Sequence, residues 1–489
     1  MQLKCCVSLL LLYVLLLCPL VLWQDAAHGK VVPSSQPNQA RRPNIILILA
    51  DDLGWGDVSF NGRTEWRTPH IDRLAAQGTI FRRWYTAGVV CAPSRAALMT
   101  GKYTIHNGVS GNSADLPGEE TTIAEALKPL GYATGLFGKW HRGGRRRPGE
   151  TSAVHPLDQG FDEFYGYIDA GKAWDKFPKE LYAGRKLKPV SGHADTLFTD
   201  QAINFIKRHQ DRPFFLYQAY VAPHLRIEAP AEDIAEHVGK FKERDPKRPL
   251  YATYAAQITR MDKEVGRLMK VLDQLRLADN TLVVFTSDHG ATFEPLNEGT
   301  SAYLDSNKPF RGQKRTLWEG GIRVPAAVRF PGRVPAGKIS SNIIGMIDVM
   351  PTFLAAAGGK LDPAWKVDGV NMLPALSGTE RARERTLFWE WRDEGSFLLA
   401  AMRGDIKLVV TDRELLSGDS DLDPRLAKVV IRQPELYNVE IDPAERRSIV
   451  YEHQLLAKQL KKELTEWLAT ETVASKQGRG EEVSTLKQE

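Results

Sequence analysis

Four short apolar runs, each followed closely by polar side chains, limit the fold of this 489-residue chain more than any other feature. Each run has the length of a buried strand, and the helical patterns between them are typical of parallel βα units. The runs are Asn44 to Ala50, Ala133 to Phe137, Pro213 to Tyr220 and Thr281 to Thr286. They predict an α/β fold with a central, mostly parallel sheet flanked by helices.

The polar residues after these runs are expected to meet, because the carboxyl ends of parallel strands lie at one edge of a sheet. This convergence predicts a functional site at that edge. The segments concerned are Asp51-Asp52, Gly138-Lys139-Trp140-His141, Pro223-His224 and Asp288-His289.

Helix signals lie between the predicted strands. Thr68 is a candidate N-cap, with Pro69 in the first turn of a helix that closes at Gly78. A second helix is predicted from Glu119 to Leu130, and a long amphipathic helix from Ala252 to Leu277 is expected to cover the core.

The pattern becomes less regular after Gly378, which predicts a domain boundary. Residues 43–378 then form the main domain, 379–472 a smaller C-terminal α+β domain with an antiparallel sheet, and 473–489 a flexible tail. The predicted elements of the smaller domain are strands Thr386 to Trp391, Phe397 to Met402 and Ile406 to Val410, and a helix from Ile449 to Leu468.

The first 29 residues have the pattern of a signal peptide. Lys4 precedes an apolar run from Val7 to Trp23, which Pro19 breaks and small residues follow. A membrane anchor is the alternative, but a span needs about 20 apolar residues. We therefore expect export to a periplasm or the exterior without stable membrane insertion, with residues 30–42 as a linker. The chain has 65 Lys and Arg against 60 Asp and Glu, a net charge of +5 that does not indicate nucleic-acid binding.

Cys91 is the one cysteine outside the predicted signal peptide, which contains Cys5, Cys6 and Cys18. An exported protein with a single thiol needs an explanation, because free thiols are oxidised outside the cytoplasm. A buried, inert cysteine is one explanation. The surrounding sequence, Cys91-Ala92-Pro93-Ser94-Arg95, suggests another, because it predicts a helix whose positive N-terminus favours an anion beside Cys91.

The segment Cys91 to Arg95 resembles the C-x-P-S-R signature of type I sulfatases. In that family the cysteine is oxidised to formylglycine by a formylglycine-generating enzyme, which would be a transient partner of this chain. The resemblance implies an alkaline phosphatase-like fold, with residues 43–378 as the catalytic domain. Further motifs in the family's order are NIILILADDLGWGD (44–57), TPHIDRLAAQG (68–78), GKWH (138–141), Pro223-His224, SDHG (287–290), KRTLWEGGIRVP (314–325) and ELYNVEIDP (435–443).

The resemblance also implies one divalent cation. Asp51, Asp52 and Asp288 match the family's metal carboxylates, and the converted Cys91 completes the site. His289 stands where many members have Asn. Three carboxylates favour Ca²⁺, although an imidazole is a softer ligand than Ca²⁺ usually prefers.

The catalytic roles implied by the family concern five further side chains. Arg95, Lys139 and Lys314 match residues that hold the formylglycine hydrate or the sulfate oxygens. His224 matches a proton donor to the leaving oxygen, and His141 a residue that helps to break down the sulfated intermediate. One hydroxyl of the hydrate attacks sulfur and the other later expels sulfate, which a serine is unable to do.

Three functions remain open at this point: a sulfatase, a phosphatase or phosphodiesterase on the same scaffold, and a non-catalytic protein that binds a sulfated glycan. The expected substrate of the first is a sulfated small molecule or carbohydrate. The basic segment Arg142 to Arg147 is a candidate contact for further anionic groups, with a solvated loop as the alternative. Trp140, Trp174 and Trp318 are candidates for stacking on sugar rings, with core packing as the alternative.

Overall fold

The four apolar runs form four neighbouring parallel strands at the centre of a large sheet. The computed structural model describes residues 42–112, 114–141, 154–393, 396–411 and 434–471. The predicted signal peptide, the tail, the segment Arg142 to Arg147 and nearly all of the linker lie outside these residues. The sheet's strands are β1 (Asn44–Asp51), β2 (Thr79–Tyr85), β3 (Ala133–Lys139), β4 (Glu163–Tyr167), β5 (Glu180–Ala183), β6 (Lys186–Pro189), β7 (Phe214–Pro223), β8 (Thr281–Ser287), β9 (Arg323–Val324), β10 (Ala326–Arg329) and β11 (Lys338–Gly345).

The strand order in this sheet is β11-β2-β10-β8-β1-β7-β3-β4-β5-β6, with β9 beside β2. The run β8-β1-β7-β3-β4 is parallel throughout, and so is the pair β11-β2. The remaining pairs, those of β10, β5, β6 and β9, are antiparallel. The predicted mostly parallel sheet is confirmed.

Helices cover both faces of the sheet, so a central strand such as β1 is buried along its whole length. Alternate side chains of β1 enter two different core clusters. Ile46 packs with the layer that includes the helices Ala194–Arg208 and Leu250–Gln274, and Leu47 with the layer that includes the helices Cys91–Thr100 and Val349–Ala356. The described helices are α1 (Pro69–Ala76), α2 (Cys91–Thr100), α3 (Thr104–Asn107), α4 (Ile123–Leu127), α5 (Ala194–Arg208), α6 (Ala231–Ala235), α7 (Leu250–Gln274), α8 (Thr300–Tyr303), α9 (Glu319–Ile322), α10 (Val349–Ala356), α11 (Leu373–Ser377) and α12 (Gln454–Leu468).

Two helix predictions need correction. The helix expected from Glu119 begins only at Ile123, because the side chain of Thr122 caps it by accepting a hydrogen bond from the next turn. The final helix begins at Gln454 rather than at Ile449.

The cap predicted for α1 is also wrong. Thr68 makes no side-chain cap, and its hydroxyl contacts Ser59 instead. The backbone N–H groups of His70 and Ile71 donate to the carboxylate of Asp262 on α7, at 3.0 and 2.8 Å.

A second, antiparallel sheet follows the first, as predicted. Its strands are β12 (Thr386–Asp393), β13 (Ser396–Arg403), β14 (Ile406–Thr411) and β15 (Glu435–Asn438), in that order. One face, with Ala400 and Met402, packs against Tyr85 at the end of β2, and the other packs against α12. The domain boundary at Gly378 stays a prediction. None of the described helices is both long and apolar enough to cross a membrane.

Candidate active site

Cys91 lies at the centre of the predicted site, at the first residue of α2. Its Sγ is 3.5 Å from Oδ1 of Asp51, 3.3 Å from Nε2 of His289 and 3.5 Å from Nζ of Lys139. The thiol is 1% exposed. The helix begins here and ends at Gly101, which has the left-handed conformation that favours glycine. The sequence therefore places Cys91 where three strand ends converge.

Arg95 lies one helical turn after Cys91 and joins two of the predicted metal carboxylates. Its Nη2 is 3.0 Å from Oδ1 of Asp51 and 2.9 Å from Oδ2 of Asp288. Its Nη1 donates to the carbonyl oxygen of Lys139, at the end of β3. The buried guanidinium thus fixes the ends of β1, β3 and β8 relative to α2.

The three aspartates form a buried like-charge cluster. The pKa of Asp52 is raised to about 6, by burial first and then by the charges of Asp51 and Asp288, although Lys314 opposes the shift. Burial also acts on Asp51, but Lys139 and Arg95 outweigh it and hold the pKa of this carboxyl well below its usual range. The Oδ1 atom of Asp52 is buried and accepts no hydrogen bond from the described residues.

His289 faces the same carboxylates. Its Nε2 is 3.3 Å from Oδ1 of Asp52 and 3.7 Å from Oδ1 of Asp288, while Nδ1 is 3.0 Å from the carbonyl oxygen of Gly290. Burial lowers the pKa of His289, but Asp288, Cys91 and Asp52 outweigh it and raise the value to about 10. The cluster therefore favours positive charge at this point, and Asp51, Asp52, Asp288 and His289 could hold a divalent cation if its charge displaced the proton from Nε2, because a ligating imidazole is neutral.

Lys314 and His224 lie on the other side of Asp52. Nζ of Lys314 is 3.2 Å from Oδ2 of Asp52 and 3.4 Å from Nε2 of His224. Nδ1 of His224 is 3.0 Å from the carbonyl oxygen of Leu225, so Nδ1 carries the proton and Nε2 accepts from Lys314. Burial and the charges of Lys139 and Lys314 outweigh Asp51 and hold the pKa of His224 well below its usual value.

His141 follows Lys139 by two residues, and its backbone N–H donates to the carbonyl oxygen of Ile168 at 2.9 Å. Its side chain is buried. This places His141 just beyond the end of β3, and its role stays a prediction.

Glu294 also belongs to the site, although no sequence motif indicated it. Its Oε2 is 3.3 Å from Nζ of Lys314 and its Oε1 is 3.0 Å from Nε of Arg315. These two cations outweigh burial and hold the pKa of Glu294 below its usual range. Glu294 follows His289 by five residues, so its proximity to the site could be seen in the sequence. Its pairing with Lys314 could not, because the chain comes back to Glu294 only twenty residues later.

The three candidate tryptophans differ in exposure. Trp140 and Trp318 are buried, as the packing alternative predicts. Trp174 is partly exposed, and its ring centroid is 6.3 Å from that of His224.

Comparison with known proteins identifies the family. A family profile described as Sulfatase matches residues 43–359. The chain belongs to the sulfatase family. As a sulfatase it is a sulfuric ester hydrolase, and the phosphatase and binding-protein alternatives are not favoured.

Two relatives illustrate the similarity of this sulfatase to characterised proteins. It is 33% identical over 408 residues to N-acetylgalactosamine-6-sulfatase of Canis lupus familiaris, across 75% of this chain and 71% of the relative. It is 31% identical over 434 residues to steryl-sulfatase of Mus musculus, across 71% and 67% of the two chains.

Two solved structures share the fold of this chain. Ps i-CgsB in complex with k-i-k-neocarrahexaose has a TM-score of 0.77 and 30% identity, covering 89% of this chain and 94% of that one. A phosphonate monoester hydrolase of Agrobacterium radiobacter shares the fold at 19% identity, with a TM-score of 0.62 and coverage of 88% and 96%. The likeness to the hydrolase concerns the fold alone, and the family match supports sulfate esters.

Proposed function

We propose that this sulfatase removes sulfate from a sulfated carbohydrate, using a formylglycine made from Cys91 and one divalent cation. The observation that carries the proposal is the position of Cys91, whose Sγ lies within 3.5 Å of Asp51, Lys139 and His289. A carboxylate, an ammonium and an imidazole thus surround the residue that the family converts into its nucleophile.

The cation would be held by Asp51, Asp52, Asp288 and His289 together with residue 91, and it would supply positive charge for the sulfate oxygens. The oxygen-rich ligand set supports Ca²⁺. Oδ1 of Asp52 is buried and makes no hydrogen bond to the described residues, and with His289 neutral as a ligand this oxygen would be available to the cation.

As a hydrate, formylglycine would supply one hydroxyl to attack sulfur and a second to expel sulfate afterwards. The chain's own side chains prepare this reaction. Lys139 and Arg95 stabilise negative charge beside residue 91, and Lys314 binds a sulfate oxygen. Nε2 of His224 faces Lys314 and, once protonated beside the anionic ester, donates to the leaving oxygen. His141 assists the breakdown of the sulfated intermediate.

Conversion of Cys91 should precede folding. The thiol is 1% exposed and all ten residues of α2 are buried, so a formylglycine-generating enzyme has no access to it in the folded protein. We propose that this enzyme acts on the unfolded chain and that residues 1–29 direct export to a periplasm or the exterior.

A carbohydrate substrate is supported by Trp174 and by the relatives. One relative is named for N-acetylgalactosamine 6-sulfate hydrolysis, and one solved relative is a complex with k-i-k-neocarrahexaose. Trp174 is partly exposed beside His224, so its ring is available to stack on a sugar whose oxygen His224 protonates. Sulfate release from a panel of desalted sulfated mono-, oligo- and polysaccharides should identify the sugar, and Trp174→Ala should raise KM for it.

The formylglycine proposal is tested by peptide mass spectrometry of protein made with a competent formylglycine-generating enzyme. We expect residue 91 as an aldehyde in active protein, and no turnover by Cys91→Ala or Cys91→Ser. Both variants should unfold near the wild-type temperature, because no disulfide is lost. Fully active protein in which residue 91 is entirely a thiol would contradict the proposal.

The metal proposal is tested by chelation. Removing the cation should abolish sulfate release and lower the melting temperature, because the aspartate cluster loses its compensating charge. Added Ca²⁺ should restore both. Recovery with Zn²⁺ or Mn²⁺ but not with Ca²⁺ would show that His289 changes the metal preference.

A further inference from the structure

We propose that Lys176 is a positioning residue for the general acid of this sulfatase: it holds His224 in the orientation and tautomer that direct Nε2 to the leaving oxygen. Neither the sequence motifs nor the roles proposed above include Lys176. The inference rests on the acid role proposed for His224, and the experiment below separates the two.

Lys176 is fully buried and binds the chain on both sides of His224. Its Nζ donates to the carbonyl oxygen of Val221 at 2.6 Å and to that of Leu225 at 3.2 Å. The neighbouring carbonyl of Trp174 accepts from the backbone N–H of Arg226 at 3.1 Å. Residues 221–226, at and just beyond the end of β7, are therefore joined to residues 174–176 by three hydrogen bonds.

One of these carbonyls is shared with the imidazole. The oxygen of Leu225 accepts both from Nζ of Lys176 and from Nδ1 of His224, the latter at 3.0 Å. A carbonyl fixed by an ammonium stays in place as an acceptor, and this keeps the proton of the neutral ring on Nδ1. Nε2 is then the atom that points to Lys314, 3.4 Å away.

The presence of a lysine at position 176 is informative, because burying an ammonium only to fill space is energetically unfavourable. Burying an ammonium costs several kcal/mol unless it is paired, and an apolar side chain of similar size avoids that cost. Burial lowers the pKa of Lys176 to about 8 even though Asp195 opposes the shift. The two hydrogen bonds of Nζ, to the carbonyls of Val221 and Leu225 on either side of His224, are what a lysine provides here and an apolar side chain does not.

Asp195 provides a matched control. Its Oδ1 accepts from the backbone N–H of Val221 at 2.9 Å, so it supports the same segment. It is fully buried, as Lys176 is, but it makes no bond to the carbonyl that Nδ1 of His224 uses. Loss of Asp195 should weaken the fold and lower the pKa of Lys176 further, but the amine keeps N–H donors for both carbonyls in either charge state, so the direction of the imidazole should not change.

The experiment compares Lys176→Met, Asp195→Asn, His224→Ala and the wild type on aryl sulfates whose leaving groups range from 4-nitrophenol to phenol. A good leaving group needs no proton, and a poor one does. Lys176→Met should hydrolyse 4-nitrophenyl sulfate at nearly the wild-type rate. It should lose roughly 10²-fold in kcat on phenyl sulfate, the cost of misplacing a catalytic group by about 1 Å. Asp195→Asn should lower the melting temperature without this dependence on the leaving group.

Equal slowing of both substrates by Lys176→Met, in an experiment where His224→Ala discriminates between them, would overturn the inference. Absence of sulfate release by the wild type would instead count against the proposed function. If Lys176→Met does not fold, Lys176→Gln and an imidazole ¹H–¹⁵N spectrum, assigned with His224→Ala, provide the second measurement. The Nδ1–H of the wild type should have the chemical shift of a hydrogen-bonded proton, and the glutamine variant should lose that shift because the Leu225 carbonyl is no longer held; the same Nδ1–H signal in both would overturn the inference.

Discussion

Lys314 and His224 are neighbours with opposite electrostatic environments, and this difference separates their roles. Burial lowers the pKa of Lys314, but Asp52 and Glu294 outweigh it and raise the value well above its usual range. The pKa of His224 lies well below its usual value. In the free enzyme Lys314 is therefore a permanent cation, suited to bind sulfate, whereas His224 is neutral and gains its proton only beside an anionic ester.

The first prediction compares these two residues. His224→Ala should slow hydrolysis of a sugar sulfate by about 10²- to 10⁴-fold, the range typical of acid catalysis, and should affect a nitroaryl sulfate much less. Lys314→Ala should slow both substrates alike, because it contacts the sulfate whatever alcohol is attached. Initial rates of sulfate release measure the effect. If His224→Ala slows both substrates equally, Lys314 becomes the candidate acid.

Most site residues could be predicted because each lies immediately after a strand or at the start of a helix. Asp51 ends β1 and Cys91 begins α2, so local pattern and the direction of the sheet place them. Glu294 and Lys176 could not be predicted in this way. They act through Lys314 and His224 across loops, and the conformation of a loop is set by tertiary contacts that no periodicity encodes.

At the scale of elements, α1 shows how a correct helix prediction can have the wrong cap. The pattern of Pro69 and the residues after it gave the bounds of the helix nearly as observed. The acceptor for its first N–H groups is Asp262, 191 residues after Ile71 in the chain. This carboxylate links α1 to α7, and the sequence of α1 alone does not indicate such a contact.

The second prediction follows from that contact. At about pH 5, where the folded protein holds the Asp262 carboxyl in its protonated form, Asp262→Ala should lower the free energy of unfolding by about 1 kcal/mol, the usual cost of losing a helix cap. Asp262→Asn keeps an acceptor oxygen and should lose less. Urea unfolding followed by circular dichroism measures both. Asp273→Ala on the same helix serves as a control, because it removes only an exposed ion pair with Arg73 of α1, which contributes little to stability. An alanine variant as stable as the wild type would show that α1 does not need this cap.

Asp262 also predicts a pH dependence. Burial, assisted by Asp72, raises its pKa from 3.8 to about 7, so the folded protein binds this proton more tightly than the unfolded chain. Its contribution to stability is complete below pH 3.8 and is lost as the pH rises through about 7. The stability of Asp262→Asn relative to the wild type should therefore increase between about pH 4 and pH 7. A constant difference would contradict this assignment.

At the scale of the molecule, a buried ionic cluster joins the two sheets. Lys407, on β14 of the small sheet, is fully buried, and its Nζ is 2.8 Å from Oε1 of Glu319 and 2.7 Å from Oε1 of Glu445. Glu319 begins α9 and accepts from the hydroxyl of Tyr85, the last residue of β2. The small sheet is thereby attached to the strand that leads to Cys91. The sequence predicted both sheets but not this attachment, because no local pattern relates Lys407 to Glu319.

The last prediction tests that attachment. Lys407→Met leaves Glu445 buried without its cation and Glu319 with Arg323 as its remaining cation, and breaking a buried pair in this way costs about 3–5 kcal/mol. Burial, with Glu319 adding to it, already raises the pKa of Glu445 to about 7 although Lys407 opposes the shift. Without the lysine, Glu445 should therefore take up a proton, and Glu445→Gln in the Lys407→Met background should recover part of the lost stability. Lys462→Met, on the exposed face of α12, should change the unfolding free energy by less than about 1 kcal/mol. Equal urea midpoints for Lys407→Met and Lys462→Met would show that the apolar contacts between the sheets are sufficient.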